Sequence, residues 1–287
     1  MRTDRAIEMA NRESSGSNVS VFIMTCNEEA NIRRCLDSVR WSNDVVVLDS
    51  FSEDDTIGHA ASYPNVRIFY RRFDDYGSQR NHGLHAVAYR NRWLLVLDAD
   101  EVVEPALATE LREVARRGED VPVDVFLLRR KVFMDGRCVR WNVSYDFWLE
   151  RFVRPSKVAY EGVVHEKLRF EGGYRRLTGA LEHHQFSKGI DDWLARRRKY
   201  ARLEAEGGPV GAASPPSAKG LFSRCTLRRR TALKALFHRM PARWAVYFAY
   251  NLFIKFAFLD GLTGLRYIFL EAYSLRLLGR QARNGKC

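Results

Sequence analysis

The sequence predicts an α/β protein: a mostly parallel sheet flanked by helices, followed by a C-terminal helical region. Three observations carry this prediction. Short continuous apolar runs at 19–24 (VSVFIM), 45–48 (VVVL) and 93–97 (WLLVL) read as strands covered on both faces. Stretches with apolar residues at helical spacing separate them, so strand and helix alternate as in βαβ units. Polar clusters fall where strands end, at Cys26-Asn27-Glu28-Glu29, at Asp49-Ser50 and at Asp98-Ala99-Asp100-Glu101. Open α/β sheets bind ligands outside the carboxyl ends of their strands, so these clusters are expected to share one crevice.

The elements follow in order. After the first strand, 27–40 carries Ala30, Ile32, Cys35, Leu36 and Val39 near helical spacing. The second strand ends at Asp49, and the loop 50–55 leads into a short helix. Residues 66–70 read as a third strand, 76–88 as a helix and 93–97 as a fourth strand ending at Asp98. An amphipathic helix follows at 104–117. Beyond Val121 the pattern shortens to strand-like pieces at 123–132, 149–153, 165–170 and 177–183, then a helix at 189–206. Residues 207–217 (GGPVGAASPPS) form a linker by composition. The expected division is a flexible start at 1–18, a main domain at 19–206, a linker at 207–218 and a basic, amphipathic helical region at 219–287.

The 287 residues carry 47 Lys plus Arg against 35 Asp plus Glu, a formal charge of +12. With 46% apolar and 29% charged residues, a disordered, collagen-like or disulfide-scaffold chain is excluded. Five cysteines without a CxxC pair give neither a structural zinc site nor a disulfide framework, and fit a reducing compartment. The polar segment 1–18 has no apolar core for a secretory signal, so a cytoplasmic location is expected. The excess charge is concentrated: residues 207–259 contain no Asp or Glu but nine Lys or Arg. Beside the apolar run 244–254, this points to peripheral contact with an anionic membrane, on the cytoplasmic face of an inner membrane. A spanning helix needs about 20 mainly apolar residues, and Lys255 interrupts this run. A solvated basic face over a packed helix is the alternative. Nucleic acid is not expected, because no binding module accompanies the charge.

Asp98-x-Asp100 is the sharpest motif. Two carboxylates two residues apart at a strand terminus can reach one hard divalent cation, Mg²⁺ or Mn²⁺, and leave positions open for phosphate oxygens. Helix starts use the same spacing, and the acidic strand ends nearby favour the metal reading here. Asp49 is a candidate acceptor for a ligand's base or ribose, whereas Ser52 and Asp54 suit helix capping. The chain has no G-x-G-x-x-G, no P-loop and no G-x-S-x-G, which removes support for dinucleotide oxidoreductases, P-loop kinases and nucleophile-elbow hydrolases.

Taken together, residues 19–31 (VSVFIMTCNEEAN), 44–56 (DVVVLDSFSEDDT), 77–84 (GSQRNHGL) and 93–101 (WLLVLDADE) resemble family 2 glycosyltransferases of the GT-A fold. Residues 160–167 (YEGVVHEK), 181–186 (LEHHQF) and 253–265 (FIKFAFLDGLTGL) continue the resemblance toward the bacterial branch with lipopolysaccharide core β-1,4-glucosyltransferases. It implies a Rossmann-like GT-A sheet, a UDP-sugar donor with UDP-glucose as first choice, and a glycolipid acceptor such as lipopolysaccharide core. It also implies that Asn27 and Glu28 lie against the nucleoside, that Asp49 holds the base, and that Arg80 and Asn81 lie near base and diphosphate. Asp98 and Asp100 match the metal pair, with Asp100 the more direct ligand.

Glycosyl transfer passes through an oxocarbenium-like state. A hydroxyl attacking opposite the departing diphosphate inverts the anomeric carbon and needs one positioned base. Glu166, His165, Glu161 and Asp146 are the candidates. By position Glu166 is the expected base, with His165 positioning acceptor or diphosphate and Asp146 in reserve. Near Asp146 the stretch SYDFWLERF departs from the family's D-Y-x-x-R-L-F-R, with Glu150 intruding. His183 and His184 are neighbours on a strand and point to opposite faces, which does not suit both binding one ion; His183 is expected to line the site or serve structure. The basic turn Arg196–Lys199 reads as a solvated face, or as a contact for acceptor phosphates. Rival readings are transfer to a polyprenyl phosphate, to a protein or to a peptide, and a non-catalytic sugar-nucleotide binding protein.

Overall fold

The computed structural model describes residues 18–145, 147–162, 166–206, 237, 240 and 242–284. The expected linker and the basic stretch up to Leu236 lie outside them. The apolar runs form strands β1 (Val19–Thr25), β2 (Val45–Asp49) and β4 (Trp93–Asp98), with β3 at Val66–Tyr70. Helices α1 (Glu29–Ser38), α2 (Thr56–Ala61), α3 (Tyr76–Ala86) and α4 (Pro105–Arg116) alternate with them. A short β5 (Glu101–Val103) follows β4 directly. The later strands are β6 (Val125–Met134), β7 (Arg137–Cys138), β8 (Phe147–Val153), β9 (Val158–Glu161), β10 (Lys167–Phe170) and β11 (Tyr174–His183).

The main sheet runs β3-β2-β1-β4-β8-β6-β11-β5, with β7 on β6 and β9 and β10 forming a separate pair. Strands β1 to β4 are mutually parallel, and β8 is antiparallel to both β4 and β6. The α/β class is the expected one, but the sheet is mixed where a mostly parallel one was expected: β6 and β11 are parallel, whereas β8, β5 and β7 each pair antiparallel with their neighbours. Its central strands are continuous in apolar character because both faces are covered. Val21, Ile23, Val47, Leu95 and Leu97 join Ile32, Leu36, Leu107 and Leu111 of α1 and α4 on one face. Phe22, Val46, Leu48, Leu94 and Val96 join Leu84 of α3 on the other. Helix α3 comes so close to β1 that a Cβ on Gly83 would run into Cζ of Phe22.

The amino ends of the strands are tied by one buried carboxylate. Asp44 accepts from Ser20 Oγ at 2.5 Å, from Arg67 Nη2 at 2.7 Å and from the Arg90 N–H at 2.8 Å. That end is tied by its own polar groups, whereas the carboxyl ends of the strands are where open α/β sheets bind ligands.

The chain divides into two compact units, the first running to Cys138 and resuming at Ser144–Lys188, the second comprising Val139–Val143 and everything from Gly189. Helix α5 (Ile190–Glu206), read from sequence as the end of the main domain, clusters with the second unit, together with α6 (Arg243–Ala249) and α7 (Gly261–Asn284). In that unit Arg197 pairs with Glu271 at 2.7 Å and stacks over Trp193, and Arg196 pairs with Asp192 at 2.9 Å. The basic turn is therefore partly spent inside the unit.

Candidate active site

Strand register brings the acidic strand ends together. Thr25 of β1 is aligned with Asp49 of β2, and Met24 with Asp98 of β4. Strand β1 is where the order reverses, with β2 and β3 on one side and β4 on the other, which is the point where such sheets hold ligands.

A chain of alternating charges crosses this point. Glu166 Oε1 accepts from Arg80 Nε at 2.6 Å, and Arg80 Nη2 donates to Asp98 Oδ1 at 2.9 Å. Asp98 Oδ2 accepts from Arg151 Nη2 at 2.5 Å, and the same nitrogen reaches Glu101 Oε1 at 3.3 Å. Glu101, fully buried, also accepts the Asp98 N–H. Both arginines are buried, and Arg80 lies over the Tyr160 ring at 5.5 Å. Burial alone would raise the Asp98 carboxyl, but Arg151 and Arg80 outweigh it and hold it well below the usual carboxylate range. Burial likewise works against charge on Arg151, and Asp98 and Glu101 more than offset it. Each guanidinium keeps one buried nitrogen, Nη1, without a hydrogen-bond partner.

Arg151 reaches this chain through a bulge. Phe126 of β6 is aligned with Phe152, yet Leu127 is aligned with Glu150, so Arg151 is an extra residue on β8. A bulge re-aims the side chain of its extra residue and is frequent beside active sites.

Asp100 faces a different partner. His183 Nε2 lies 3.4 Å from Asp100 Oδ2, and the His184 N–H donates to Asp100 O at 2.9 Å. The β5–β11 ladder, which ends on the pair Glu101 and His183, fixes this meeting. His183 Nδ1 is buried without a hydrogen-bond partner. A carboxylate beside an imidazole is a donor set that fits a divalent cation, the imidazole favouring Mn²⁺ over Mg²⁺. Among the described residues no group of three or more His, Cys, Asp or Glu converges on one point.

Glu28 stands near Asp100. Burial, and next the charge of Asp100, raise its carboxyl above the ordinary value, although Lys188 at 2.7 Å and Asn31 at 2.6 Å bond it. Lys188 also donates to Asn27 O at 2.9 Å. Asn27 adopts a left-handed backbone (φ 55°), and its Oδ1 accepts from the Glu53 N–H at 2.7 Å.

Other expected residues are already engaged within the chain. Asp49 is fully buried and accepts both the Ser52 N–H (2.7 Å) and its hydroxyl (2.5 Å), so its carboxylate shapes the turn after β2. Asn81 spends its amide on Tyr160, donating to O at 2.8 Å and accepting from N at 2.7 Å. Glu161 pairs with Arg169 at 2.7 Å, both exposed. His165 and Asp146 lie outside the described residues. Sequence reading missed Arg151 and Lys188 as site groups, named Glu101 only as part of its acidic cluster, and gave His183 a lesser part than its place beside Asp100 indicates.

A family model described as Glycosyl transferase family 2 matches residues 20–177. The lipopolysaccharide core biosynthesis glycosyltransferase LpsC of Rhizobium meliloti is 28% identical over 195 residues, covering 66% of this chain and 70% of LpsC. An uncharacterized glycosyltransferase of Rickettsia typhi is 33% identical over 202 residues, 66% of this chain and 67% of that protein. Glycosyltransferase SunS of Bacillus phage SPbeta is 27% identical, but the match covers 54% of this chain and only 36% of SunS. Among solved structures, Staphylococcus aureus TarS 1–349 in complex with UDP-GlcNAc aligns over 92% of each chain at 15% identity, with a TM-score of 0.43.

Proposed function

We propose that this chain, which belongs to glycosyltransferase family 2, moves a hexose from a UDP-sugar, UDP-glucose first among them, to a hydroxyl of a membrane-held glycolipid such as lipopolysaccharide core. The observation that carries this is the charge chain Glu166–Arg80–Asp98–Arg151 at the sheet's switch point, with Asp100 and His183 beside it. The kinship with LpsC supports the choice of acceptor.

The residues divide the work by where they stand. Both Asp98 oxygens are taken by arginines, so the cation falls to Asp100 with His183, in place of the Asp98–Asp100 pair expected from sequence. Mg²⁺ or Mn²⁺ held there would offset the charge growing on the departing diphosphate. Asp98 positions the two guanidinium groups, whose unused Nη1 donors suit anionic oxygens. Asn27 and Glu28 border the nucleoside, with Asp49 setting the turn beneath it. Glu166, with Oε1 held by Arg80, offers Oε2 to the attacking hydroxyl and takes its proton; attack opposite the diphosphate inverts the anomeric carbon.

The test is UDP release from a panel of UDP-sugars with a glycolipid extract, with and without Mn²⁺. Asp100→Ala and His183→Ala should each lower turnover about 100-fold or more. Glu166→Gln should lose transfer yet still bind UDP. Unchanged turnover in Asp100→Ala together with full activity in chelator would end the metal assignment.

A further inference from the structure

Within the second unit, α6 continues as a π-type turn over Tyr250–Ile254, breaks at Lys255 and Phe256, and restarts through Ala257–Asp260 into α7. Phe256 takes a left-handed backbone (φ 57°), and Gly261 also has a positive φ (66°). Helix α7 buries Tyr267, Ile268, Leu270, Ala272 and Ser274 on one side, so it already has a packed face. The bend does the opposite. Phe253, Ile254, Phe256, Phe258, Leu259 and Leu262 are each at least 46% exposed, Leu262 79%. Soluble surfaces rarely gather so many large apolar side chains unless something covers them.

A second segment joins the bend. Asp260 Oδ2 accepts the N–H groups of Arg140 and Trp141 at 2.8 and 2.7 Å. Asn251, fully buried, accepts the Val143 N–H at 2.8 Å and donates to Tyr247 O at 2.9 Å. Trp141 and Val143, held in this way, are each 46% exposed.

We infer that the bend and the segment Val139–Val143 form one wedge that lies in the headgroup–acyl boundary of an anionic bilayer. This deepens the glycolipid-acceptor reading by naming the surface that meets the lipid, and it rests on that reading only for its biological use. Three features favour lipid over a protein partner. Irregular backbone in an apolar medium must have its polar groups satisfied within the protein, and Asp260 and Asn251 do this for three N–H groups of the Val139–Val143 segment. The sequence from 207 to 259 carries nine Lys or Arg and no acid, and Lys255 in the bend has the long stem that lets an ammonium reach the headgroups. The pair Arg243–Ile254 and Ala257–Leu277 has the length and composition of a membrane segment but is bent by 75°, and no single helix among the described residues is long and apolar enough to cross. A bent apolar pair beside cationic sequence suits shallow insertion.

The full chain is sedimented with phosphatidylcholine vesicles, with and without phosphatidylglycerol. It should bind both and bind the anionic ones more tightly. Phe253→Ser/Leu262→Ser should lower partitioning tenfold or more, while far-ultraviolet circular dichroism stays that of the parent. Asp260→Ala should weaken it through the released segment. Unchanged partitioning in the folded double variant overturns the wedge. So does a vesicle-free dimer, seen by sedimentation velocity, that the same double variant abolishes. UDP release by the same proteins from the UDP-sugar panel with detergent-dispersed glycolipid extract, without vesicles, reads the enzyme separately: its absence in the parent chain would sink the transferase reading and leave the wedge standing.

Discussion

Arg151 shows how one residue binds fold and site together. Its Nη2 serves Asp98 and Glu101 at once, and the side chain is 5% exposed. Removing the guanidinium leaves the buried carboxylate of Glu101 and the partly buried one of Asp98 short of a partner, which costs about 3–5 kcal/mol where a buried pair is broken. Arg151→Met should therefore lower the urea-derived stability by that amount as well as abolishing turnover. Glu28 has the opposite sign. Burial and Asp100 raise its folded-state value, so losing the proton above the ordinary carboxylate range takes stability away. Glu28→Gln is expected to raise Tm at pH 7 while weakening UDP binding, measured by thermal melts and titration calorimetry. The aspartates at strand ends were readable because an apolar run stopping on Asp is a local signal. Arg151 was not: a bulge leaves no mark in composition, and one buried arginine looks like any other among 47 basic residues. His183 was missed in part because its meeting with Asp100 depends on the β5–β11 register, and β5 has only three residues.

At the scale of elements, helix α3 does two jobs. Its Gly83 lets the helix settle on Phe22, and any Cβ there collides with a fully buried ring. Gly83→Ala should cost about 1–3 kcal/mol through overpacking, despite alanine's better helix propensity. Two residues earlier, the Asn81 amide meets the N–H and C=O of Tyr160 as a neighbouring strand would, and so anchors β9 to α3. Asn81→Ala strips both groups of a partner, at about 1–3 kcal/mol. Hydrogen exchange should show faster exchange at Tyr160 than elsewhere in the first unit; an unchanged Tyr160 amide would refute the anchor. Strands β1, β2 and β4 were legible from sequence since double-sided burial makes them unbroken apolar runs. The short β5 and β9 were not, because strands of three or four residues carry little pattern of their own, and β6 runs Val125–Met134 where 123–132 was expected.

For the whole molecule, the two ends of the sheet put buried charge to different uses. Asp98 at the carboxyl end and Asp44 at the amino end both titrate below the ordinary carboxylate value. Burial opposes this in each; the arginines win for Asp98, and Ser20, the Arg90 N–H and Arg67 win for Asp44. A carboxylate depressed in the folded state contributes stability that is fully present above its unfolded value, near pH 4, and is lost as pH falls below it. The first unit should thus hold its urea midpoint through neutral pH and lose it steeply below about pH 4. Fold class was legible at this scale, but the division was not: the segment Val139–Val143 joins the C-terminal helices through Asp260 and Asn251, contacts separated by more than a hundred residues of chain. Asp44→Asn and Asp98→Asn separate stability from chemistry. Each removes a carboxylate that must be protonated in acid, so each should flatten the acid limb of the stability profile. Asp44 lies at the amino end, so its variant should keep UDP binding and turnover per folded molecule. Asp98 positions Arg80 and Arg151, so its variant should lose turnover even at a pH where it remains folded. Equal turnover loss in the two variants would mean that the charge chain at the carboxyl end acts only as a structural brace.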